Sequence, residues 1–457
     1  MISRRVFLAA GAAAKRRPPN VLFICSDQHQ TRASGCYGSL EIRTPNIDAI
    51  AASATRFSHA YCQAPVCVPA RGSIITGQYP HRHGARILRD PLPEDVRTVA
   101  HFFKERGYVT GAIGKMHFVD ETKRHGFDHR LNEADFLATL TVEDRQRLRR
   151  DQGGAEAVEG RPSTLPDRFF QDYWFADEAV KFLHGNRGRP FCLWASFFMP
   201  HTPLVPQARY FDSYDPKVLT LPRRSDHELE TGFPGHLIRS RERGWYGQTD
   251  DQLRQSLRGY YGNIMQMDSC VGRVFNALRE LGLDRNTIVV YTSDHGEMAG
   301  AHRMWTKHNM YEQSVNVPLM IGAPNDIRAN ALASEMVEHV DLFPTLAELC
   351  GFSPPRGIAG RSFAPLLRGK RFKPREFAYS EYYFCHNVFT ADDRYVGKPP
   401  ILMVRTGRWK FNYLSWDRCE LFDVEKDPGE FENLVDAPGN SGIVRELRTT
   451  AERLFAS

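Results

Sequence analysis

Runs of apolar, β-branched and aromatic residues recur along most of the chain, with segments of helical periodicity between them. The runs cover residues 20–26, 109–113, 190–198, 287–292 and 317–321. Apolar runs that are continuous rather than alternating are typical of parallel strands covered by helices on both faces. We therefore predict an α/β fold with a large, mostly parallel sheet flanked by helices.

Polar side chains follow four of these runs at the point where each strand should end. In chain order they are Asp27 with Gln28, Lys115 with His117, His201, and Asp294 with His295. Ligands of open α/β sheets bind beyond the carboxyl ends of the strands. We therefore expect these side chains to meet at one edge of the sheet.

The pattern changes after about residue 370. Short alternating segments at 401–406 and 408–413 precede a turn-rich stretch and a helical pattern that starts near residue 441. This order predicts a small antiparallel β subdomain with a terminal helix over residues 371–457, after a main domain of residues 19–370. The charged stretch 120–165 predicts surface helices and loops.

Composition and charge narrow the class of protein. The 457 residues are 42% hydrophobic and 25% charged, which is typical of globular proteins. The longest apolar stretch, residues 6–14, is too short to cross a bilayer, so we predict that this is not an integral membrane protein. Five basic residues lie among the first seventeen, so the rest of the chain carries +1 of the total charge of +6. That balance argues against a nucleic-acid partner.

The first eighteen residues have the layout of an export signal. Arg4 and Arg5 precede a short apolar run and three alanines at 12–14. The order resembles a bacterial twin-arginine signal, which predicts a periplasmic or secreted protein. A basic N-terminus on a cytoplasmic protein is the alternative.

The nine cysteines are scattered and form no CxxC pair. They allow one or two disulfides and leave at least one thiol unpaired. Cys25 and Cys36 lie near the first polar cluster in sequence, and we interpret both as packing residues.

The segment 65–77, PVCVPARGSIITG, combines a nucleophile with groups that attract anions. Pro69 suits the first turn of a helix, which places Cys67 just before the helix N-terminus, where free backbone N–H groups favour an anion. Arg71 lies four residues on, so its guanidinium can return to the same face. A buried thiol, or a disulfide with Cys62, is the structural alternative.

This segment and its context resemble the type I sulfatases of the alkaline-phosphatase-like superfamily. The C-x-P-x-R pattern carries the resemblance, together with NVLFICSDQ, GKMH, FMPHTP, TSDHGE, WTKHNMYEQSVNVPLMI and CELFDVEKDPGEFENL, in family order over roughly residues 19 to 435. In this family the cysteine that matches Cys67 is oxidised to formylglycine by a formylglycine-generating enzyme. The resemblance implies a sulfatase that acts on a sulfated small molecule or glycan. The predicted export, together with pocket loops that mix polar and aromatic residues, makes a carbohydrate sulfate ester the expected substrate.

The resemblance also implies one divalent cation. Its ligands would be Asp27, Gln28, Asp294, His295 and an oxygen of modified Cys67. Mostly oxygen donors favour Ca²⁺. Many sulfatases carry a second aspartate and an asparagine where this chain has Gln28 and His295, and the change to an amide and an imidazole moves the preference toward Mn²⁺ or Zn²⁺. Similar substitutions occur in choline sulfatases and phosphonate monoester hydrolases.

The resemblance further implies how the site works. Hydrated formylglycine at position 67 attacks sulfur, and His117 deprotonates its second hydroxyl so that sulfate is expelled. Arg71 and Lys115 hold the nucleophile. His201 and Lys307 bind the sulfate oxygens, and one of them protonates the leaving group.

Two other functions compete with this interpretation. A phosphonate monoester or phosphodiester hydrolase could use the same machinery, because a phosphoryl group fits the same cradle. A catalytically silent metal-binding protein would have lost a catalytic group, but all of those groups are present. We expect the pocket walls to come from the loops at 81–90, 120–165, 222–248 and 382–395.

Overall fold

The computed structural model describes residues 17–154, 157–225, 234–323, 327–384 and 395–457. Residues 1–16, which hold almost all of the predicted export signal, lie outside the described residues. The same holds for residues 155–156, 226–233 and 385–394, which belong to three predicted pocket loops.

Within the described residues the main sheet has eight strands in the order β5-β4-β6-β1-β7-β8-β2-β9. Neighbouring strands from β5 to β7 run parallel, as predicted. The strands are β1 (Asn20–Asp27), β2 (Thr55–Phe57), β4 (Val109–Gly114), β5 (His129–Leu131), β6 (Phe191–Pro200), β7 (Thr287–Ser293), β8 (Leu319–Gly322) and β9 (Ala331–Ala333). A separate parallel pair joins β3 (Ala60–Tyr61) to β10 (Val337–Glu338).

Strand β8 departs from the prediction, because it runs antiparallel to β7, with Tyr291 opposite Met320. The chain leaves β7 at the edge where the polar residues collect and enters β8 from that same edge. Apolar content shows that a strand is buried but not which way it runs, so the run at 317–321 was wrongly assigned to the parallel set.

Helices cover both faces of the sheet. The α-helices of the described chain are α1 (Pro45–Ala52), α2 (Cys67–Thr76), α3 (Pro80–His83), α4 (Val99–Lys104), α5 (Glu133–Ala138), α6 (Val142–Gln152), α7 (Gln171–Asn186), α8 (Ala208–Phe211), α9 (Pro234–Glu242), α10 (Asp250–Glu280), α11 (Glu312–Val315), α12 (Leu342–Leu349), α13 (Ala364–Leu367) and α14 (Ser441–Phe455). On one face α1, α7 and α10 pack on Ile24 and Leu193. On the other, α2, α4 and α12 pack on Phe23 and Trp194. Alternate residues of the same strands therefore enter two different cores.

The C-terminal part forms an antiparallel sheet in the order β11-β12-β13-β14. Its strands are Ala378–Tyr382, Ile401–Arg405, Trp409–Tyr413 and Glu420–Asp423. Leu447 and Ala451 of α14 pack on Val404 and Phe411 of this sheet. The predicted β subdomain with a terminal helix is thus confirmed, and β11 and β14 are additional strands.

The described cysteines all carry free thiols, so the alternative of a Cys62–Cys67 disulfide is wrong. Cys385 lies outside the described residues. In the part of the chain that the structure describes, no helix has the length and apolarity needed to cross a membrane.

Candidate active site

The register of the two central strands places the first two carboxylates together. Ser26 of β1 lies opposite Ser293 of β7, so Asp27 and Asp294 follow at the same level. The N–H of Asp294 donates to the carbonyl of Ser26 at 3.2 Å, which holds the two strand ends in place. Both carboxylates are fully buried.

Cys67 is the first residue of α2 rather than the residue before it, because Val66 takes the extended conformation of the N-cap. Its Sγ lies 3.2 Å from Nε2 of His295 and 3.7 Å from Oδ1 of Asp27. Burial opposes ionisation of the thiol, but the ammonium groups of Lys115 and Lys307 outweigh it and hold the pKa of Cys67 well below its usual value. The site therefore favours an anion at this position, as the sequence predicts.

Four of the predicted metal ligands form a compact cluster. One ligand atom from each of Asp27, Cys67, Asp294 and His295 lies within 4.8 Å of all the others. Nδ1 of His295 pairs with the carbonyl of Gly296 at 3.0 Å, which leaves Nε2 facing the cluster. Two carboxylates, an imidazole nitrogen and the group at position 67 are suitable ligands, so these residues fit one divalent cation.

Gln28 lies at the rim of this cluster in a left-handed conformation, with φ of 69°. Its backbone N–H donates to Oδ1 of Asp294 at 3.1 Å. Its amide NH₂ donates to Glu297, and its amide oxygen accepts from Nζ of Lys307 at 2.5 Å. The oxygen predicted to bind metal thus faces the ammonium of Lys307.

Glu297, which is not among the site residues predicted from the sequence, supports this arrangement. Besides Gln28, its carboxylate accepts the backbone N–H groups of Ala299, at 3.0 Å, and of Thr306. It therefore ties the loop after β7 to the segment before Lys307. The only sequence signal is its place in the TSDHGE motif.

Arg71 is fully buried and braces the carboxylates from behind. Its Nε donates to Oδ2 of Asp294 at 2.8 Å, and its Nη1 donates to Oγ of Ser196 at 2.8 Å and to the carbonyl of Lys115. Its Nη2 lies 3.8 Å from Asp27 and has no hydrogen-bond partner in the described structure. Only Nη2 is therefore available for an oxyanion. Ser196 is a second residue that the sequence analysis missed.

Lys115 and His117 extend from the end of β4. The ammonium of Lys115 pairs with Asp27 and lies 4.0 Å from Sγ of Cys67. His117 has φ of 57°, and its Nδ1 has no hydrogen-bond partner among the described residues. Both residues line a cavity of about 280 Å³, with Phe198 and Glu133 on its other walls. This cavity includes part of the predicted pocket stretch 120–165.

His201 and Lys307 contact each other directly. Nζ of Lys307 donates to Nε2 of His201 at 2.7 Å, and Nδ1 of His201 pairs with the carbonyl of Thr202 at 2.7 Å. Burial, and then the charge of Lys307, lower the pKa of His201. His201 is therefore a neutral imidazole that accepts a hydrogen bond from the lysine.

The structure thus brings all of the predicted site residues to one edge of the main sheet. They are Asp27, Gln28, Cys67, Arg71, Lys115, His117, His201, Asp294, His295 and Lys307. Residues of the predicted pocket loops 120–165 and 222–248 line cavities beside these side chains. In the loop 81–90, His81 instead pairs with Glu381.

Comparison with protein families agrees with this geometry. The sulfatase family profile matches residues 19–352. A second profile, for the C-terminal part of N-sulphoglucosamine sulphohydrolase, matches residues 300–456.

Individual relatives span nearly the whole chain. It is 30% identical over 455 residues to a choline-sulfatase of Rhizobium meliloti, an alignment that covers 95% of this chain and 85% of the relative. It is 29% identical over 469 residues to a Delta 4,5-hexuronate-2-O-sulfatase of Bacteroides thetaiotaomicron, covering 96% and 89%. A phosphonate monoester hydrolase of Silicibacter pomeroyi shares the fold, with a TM-score of 0.83, 24% identity and coverage of 95% and 94%.

Proposed function

Because this chain belongs to the sulfatase family and is a sulfuric ester hydrolase, we propose that it cleaves sulfate esters of a carbohydrate through formylglycine derived from Cys67. One observation carries the proposal. Sγ of Cys67 lies at the start of α2, within 3.2 to 4.0 Å of His295, Asp27 and Lys115, so an oxygen nucleophile there would meet ligands and a cation together.

The proposed cofactor is one divalent cation, with Ca²⁺ as the first candidate and Mn²⁺ or Zn²⁺ as alternatives. Asp27, Asp294, His295 and the modified residue 67 would hold it, with Gln28 at the rim. When bound, a divalent cation supplies a Lewis acid that lowers the pKa of a neighbouring hydroxyl. Arg71 would orient Asp294 and keep the ligand set in one geometry.

The remaining side chains would handle charge and protons around the sulfate. Lys115 would stabilise the negative charge that develops at residue 67. His117, whose Nδ1 is unpaired, would take the proton that must leave for sulfate to be expelled. Lys307 would contact a sulfate oxygen directly, with His201 holding its ammonium in place.

Several broader assignments belong to the same proposal. Residues 19–370 would form the catalytic domain and residues 371–457 a C-terminal subdomain. Residues 1–18 would act as a bacterial export signal and give a periplasmic or secreted enzyme. A formylglycine-generating enzyme would be the partner during maturation.

Mass spectrometry of the peptide that contains residue 67 tests the nucleophile. We expect the mass of formylglycine in active enzyme, and loss of hydrolysis of an aryl sulfate in Cys67→Ala. Cys62→Ala removes another buried thiol near the site and should retain activity. An active preparation with only unmodified cysteine at 67 would refute the mechanism.

The competing phosphonate hydrolase function is tested by parallel assays with an aryl sulfate and an aryl phosphonate monoester. We expect a higher kcat/KM for the sulfate. A preference for the phosphonate would favour the alternative, because both substrates have an aryl leaving group and differ in the group that is attacked.

A further inference from the structure

A small recess lies directly beside Lys307, which forms part of its wall. Its volume is about 10 Å³, which is room for roughly one water-sized oxygen. Arg239, His308 and Asn309 line it, with Trp245 and Trp305 as apolar walls. Among the described residues, no carboxylate contributes to the wall. The recess therefore selects an oxygen that accepts hydrogen bonds.

His308 is the first unexplained group in this wall. It is 4% exposed, and its Nδ1 has no hydrogen-bond partner in the described structure. Its φ of 84° places it in the left-handed region, which is uncommon for a residue with a side chain. A buried imidazole nitrogen without a hydrogen-bond partner, on a residue with a strained backbone, costs stability, and such positions cluster at ligand sites.

Asn309 adds a donor of known orientation. Its Oδ1 accepts the N–H of Tyr311 at 3.1 Å, which fixes the amide. The residue is only 1% exposed and lines the recess, so with Oδ1 engaged its Nδ2 is the amide donor that remains for a ligand there. An acceptor from outside the protein could therefore satisfy it.

Arg239 contributes a positively charged group to the wall of the recess. It lies on α9, is 4% exposed, and its guanidinium lies 5.6 Å from the ring centre of Trp245. After burial, the charges of Arg239 and Lys307 are the largest influences that lower the pKa of His308. Two cations thus border the recess, and they favour an anionic oxygen over a neutral one.

We propose that Arg239, His308 and Asn309 form a second oxyanion subsite, which accepts one oxygen of an anionic substituent on the sugar that carries the scissile sulfate. The substituent is a carboxylate or a second sulfate. The proposal rests on the proposed function, because Lys307, which contacts both regions, is assigned there to the scissile sulfate.

Matched substrates test the subsite. We expect kcat/KM to be roughly 10- to 100-fold higher for a hexuronate sulfate than for the neutral hexose sulfate, or for a disulfated hexosamine than for its monosulfated counterpart, as charge-assisted hydrogen bonds allow. The pair that shows the preference identifies the substituent. No preference in either pair would overturn the proposal.

Variants then locate the preference. His308→Gly keeps the left-handed backbone accessible and removes the imidazole, so the preference should fall about tenfold or more. Arg239→Gln should have the same effect. Arg241→Gln removes an exposed cation from the same helix and should retain the preference. A preference that survives both His308→Gly and Arg239→Gln would show that the anion binds elsewhere.

A binding measurement separates this proposal from the proposed function. Calorimetry with the free, unsulfated hexuronate and with the free hexose requires no hydrolysis. Weaker hexuronate binding in His308→Gly than in the wild type supports the subsite even if no sulfate ester is cleaved. Equal binding of both sugars by both proteins refutes a carboxylate subsite, and the disulfated pair then decides the remaining case.

Discussion

Glu297 shows how one buried side chain can set the geometry of several others. Its carboxylate accepts hydrogen bonds from the side-chain amide of Gln28 and from the backbone N–H groups of Ala299 and Thr306. None of these three donors belongs to Asp27 or Cys67, the proposed cation ligands. Both carboxylate oxygens accept hydrogen bonds. A glutamine at this position would replace one oxygen by an NH₂ group, which would face an N–H donor instead of accepting from it.

We predict that Glu297→Gln lowers the affinity for Ca²⁺ by roughly 10- to 100-fold, as for other residues that orient metal ligands from behind. Titration of metal-depleted protein with Ca²⁺ measures this. Glu446→Gln, at an exposed position of α14, is the matched control and should bind normally. Unchanged affinity in Glu297→Gln would mean that Gln28 and the loop keep their geometry without it.

The contact between Lys307 and His201 assigns different tasks to the two residues. Nε2 of His201 accepts a hydrogen bond from Lys307, and the proton on Nδ1 is directed to the carbonyl of Thr202. The neutral imidazole therefore has no proton that it could donate to a leaving group. The ammonium of Lys307 does hold one. Lysine is therefore the better candidate for the general acid.

We predict that Lys307→Met lowers kcat/KM by roughly 10²–10³ on a sugar sulfate and much less on an activated aryl sulfate, whose phenolate needs no proton. His201→Ala should impair both substrates to a similar extent. Lys217→Met, an exposed lysine, serves as the control. Equal losses on both substrates in Lys307→Met would leave the lysine with a binding role only.

Among the elements, β4 depends on a glycine at its end. Gly114 has φ of 101°, and a Cβ there would lie 1.8 Å from the carbonyl oxygen of Ser196 on the neighbouring strand. The next residue is Lys115, and Ser196 also binds Arg71. A side chain at 114 must therefore separate β4 from β6 where both deliver site residues.

We predict that Gly114→Ala lowers the melting temperature and abolishes most activity. Gly107→Ala is the matched control, since its φ is 81° but nothing lies within 4 Å of the added Cβ. Backbone strain alone should cost about 1 kcal/mol there. Thermal unfolding and aryl sulfatase assays compare the two, and equal effects would show that contact with β6 is unimportant.

The elements that the sequence predicts best are those whose environment is uniform. Strand β1 is buried along its whole length, so its apolar run gives both its position and its type. The direction of β8 depends on the path of the loop before it, which carries no periodic signal. Strands β11 and β14 escaped prediction because Glu381 and Glu420 are charged yet buried. Their partners, His81 and Asn412, lie on other elements, so neither contact can be read from the strand's own sequence.

At the scale of the molecule, the catalytic edge was predictable because parallel strands end together. Polar residues after four runs had to converge, whatever the helices did. The surroundings were not predictable in this way. Ser196 lies within a strand and His308 within an irregular loop, so only the assembled structure brings them beside Arg71 and Lys307.

The C-terminal sheet is joined to the catalytic edge through buried charges. Lys410 of β13 is fully buried, and its Nζ lies 2.7 Å from Glu430 and 3.1 Å from Glu312. Glu312 begins α11, five residues after Lys307. Burial raises the pKa of Glu312, but the charges of Lys410 and Arg405 outweigh burial and lower it. The contribution of Glu312 to the free energy of unfolding is therefore fully present above its ordinary pKa, and it is lost as the pH falls through the lowered pKa.

We predict that Lys410→Met lowers the free energy of unfolding by about 3–5 kcal/mol, because Glu430 then loses its buried cation and Glu312 keeps only Arg405, 3.5 Å away. Removing the cation raises the pKa of both carboxyl groups, so they take up protons more readily and their mutual repulsion falls. The difference in free energy of unfolding between wild type and Lys410→Met should therefore shrink as the pH is lowered from about 8 to about 5. Denaturant unfolding at several pH values measures it, with the exposed Lys426→Met as the control. A deficit that stays constant with pH would instead indicate lost packing of the lysine stem.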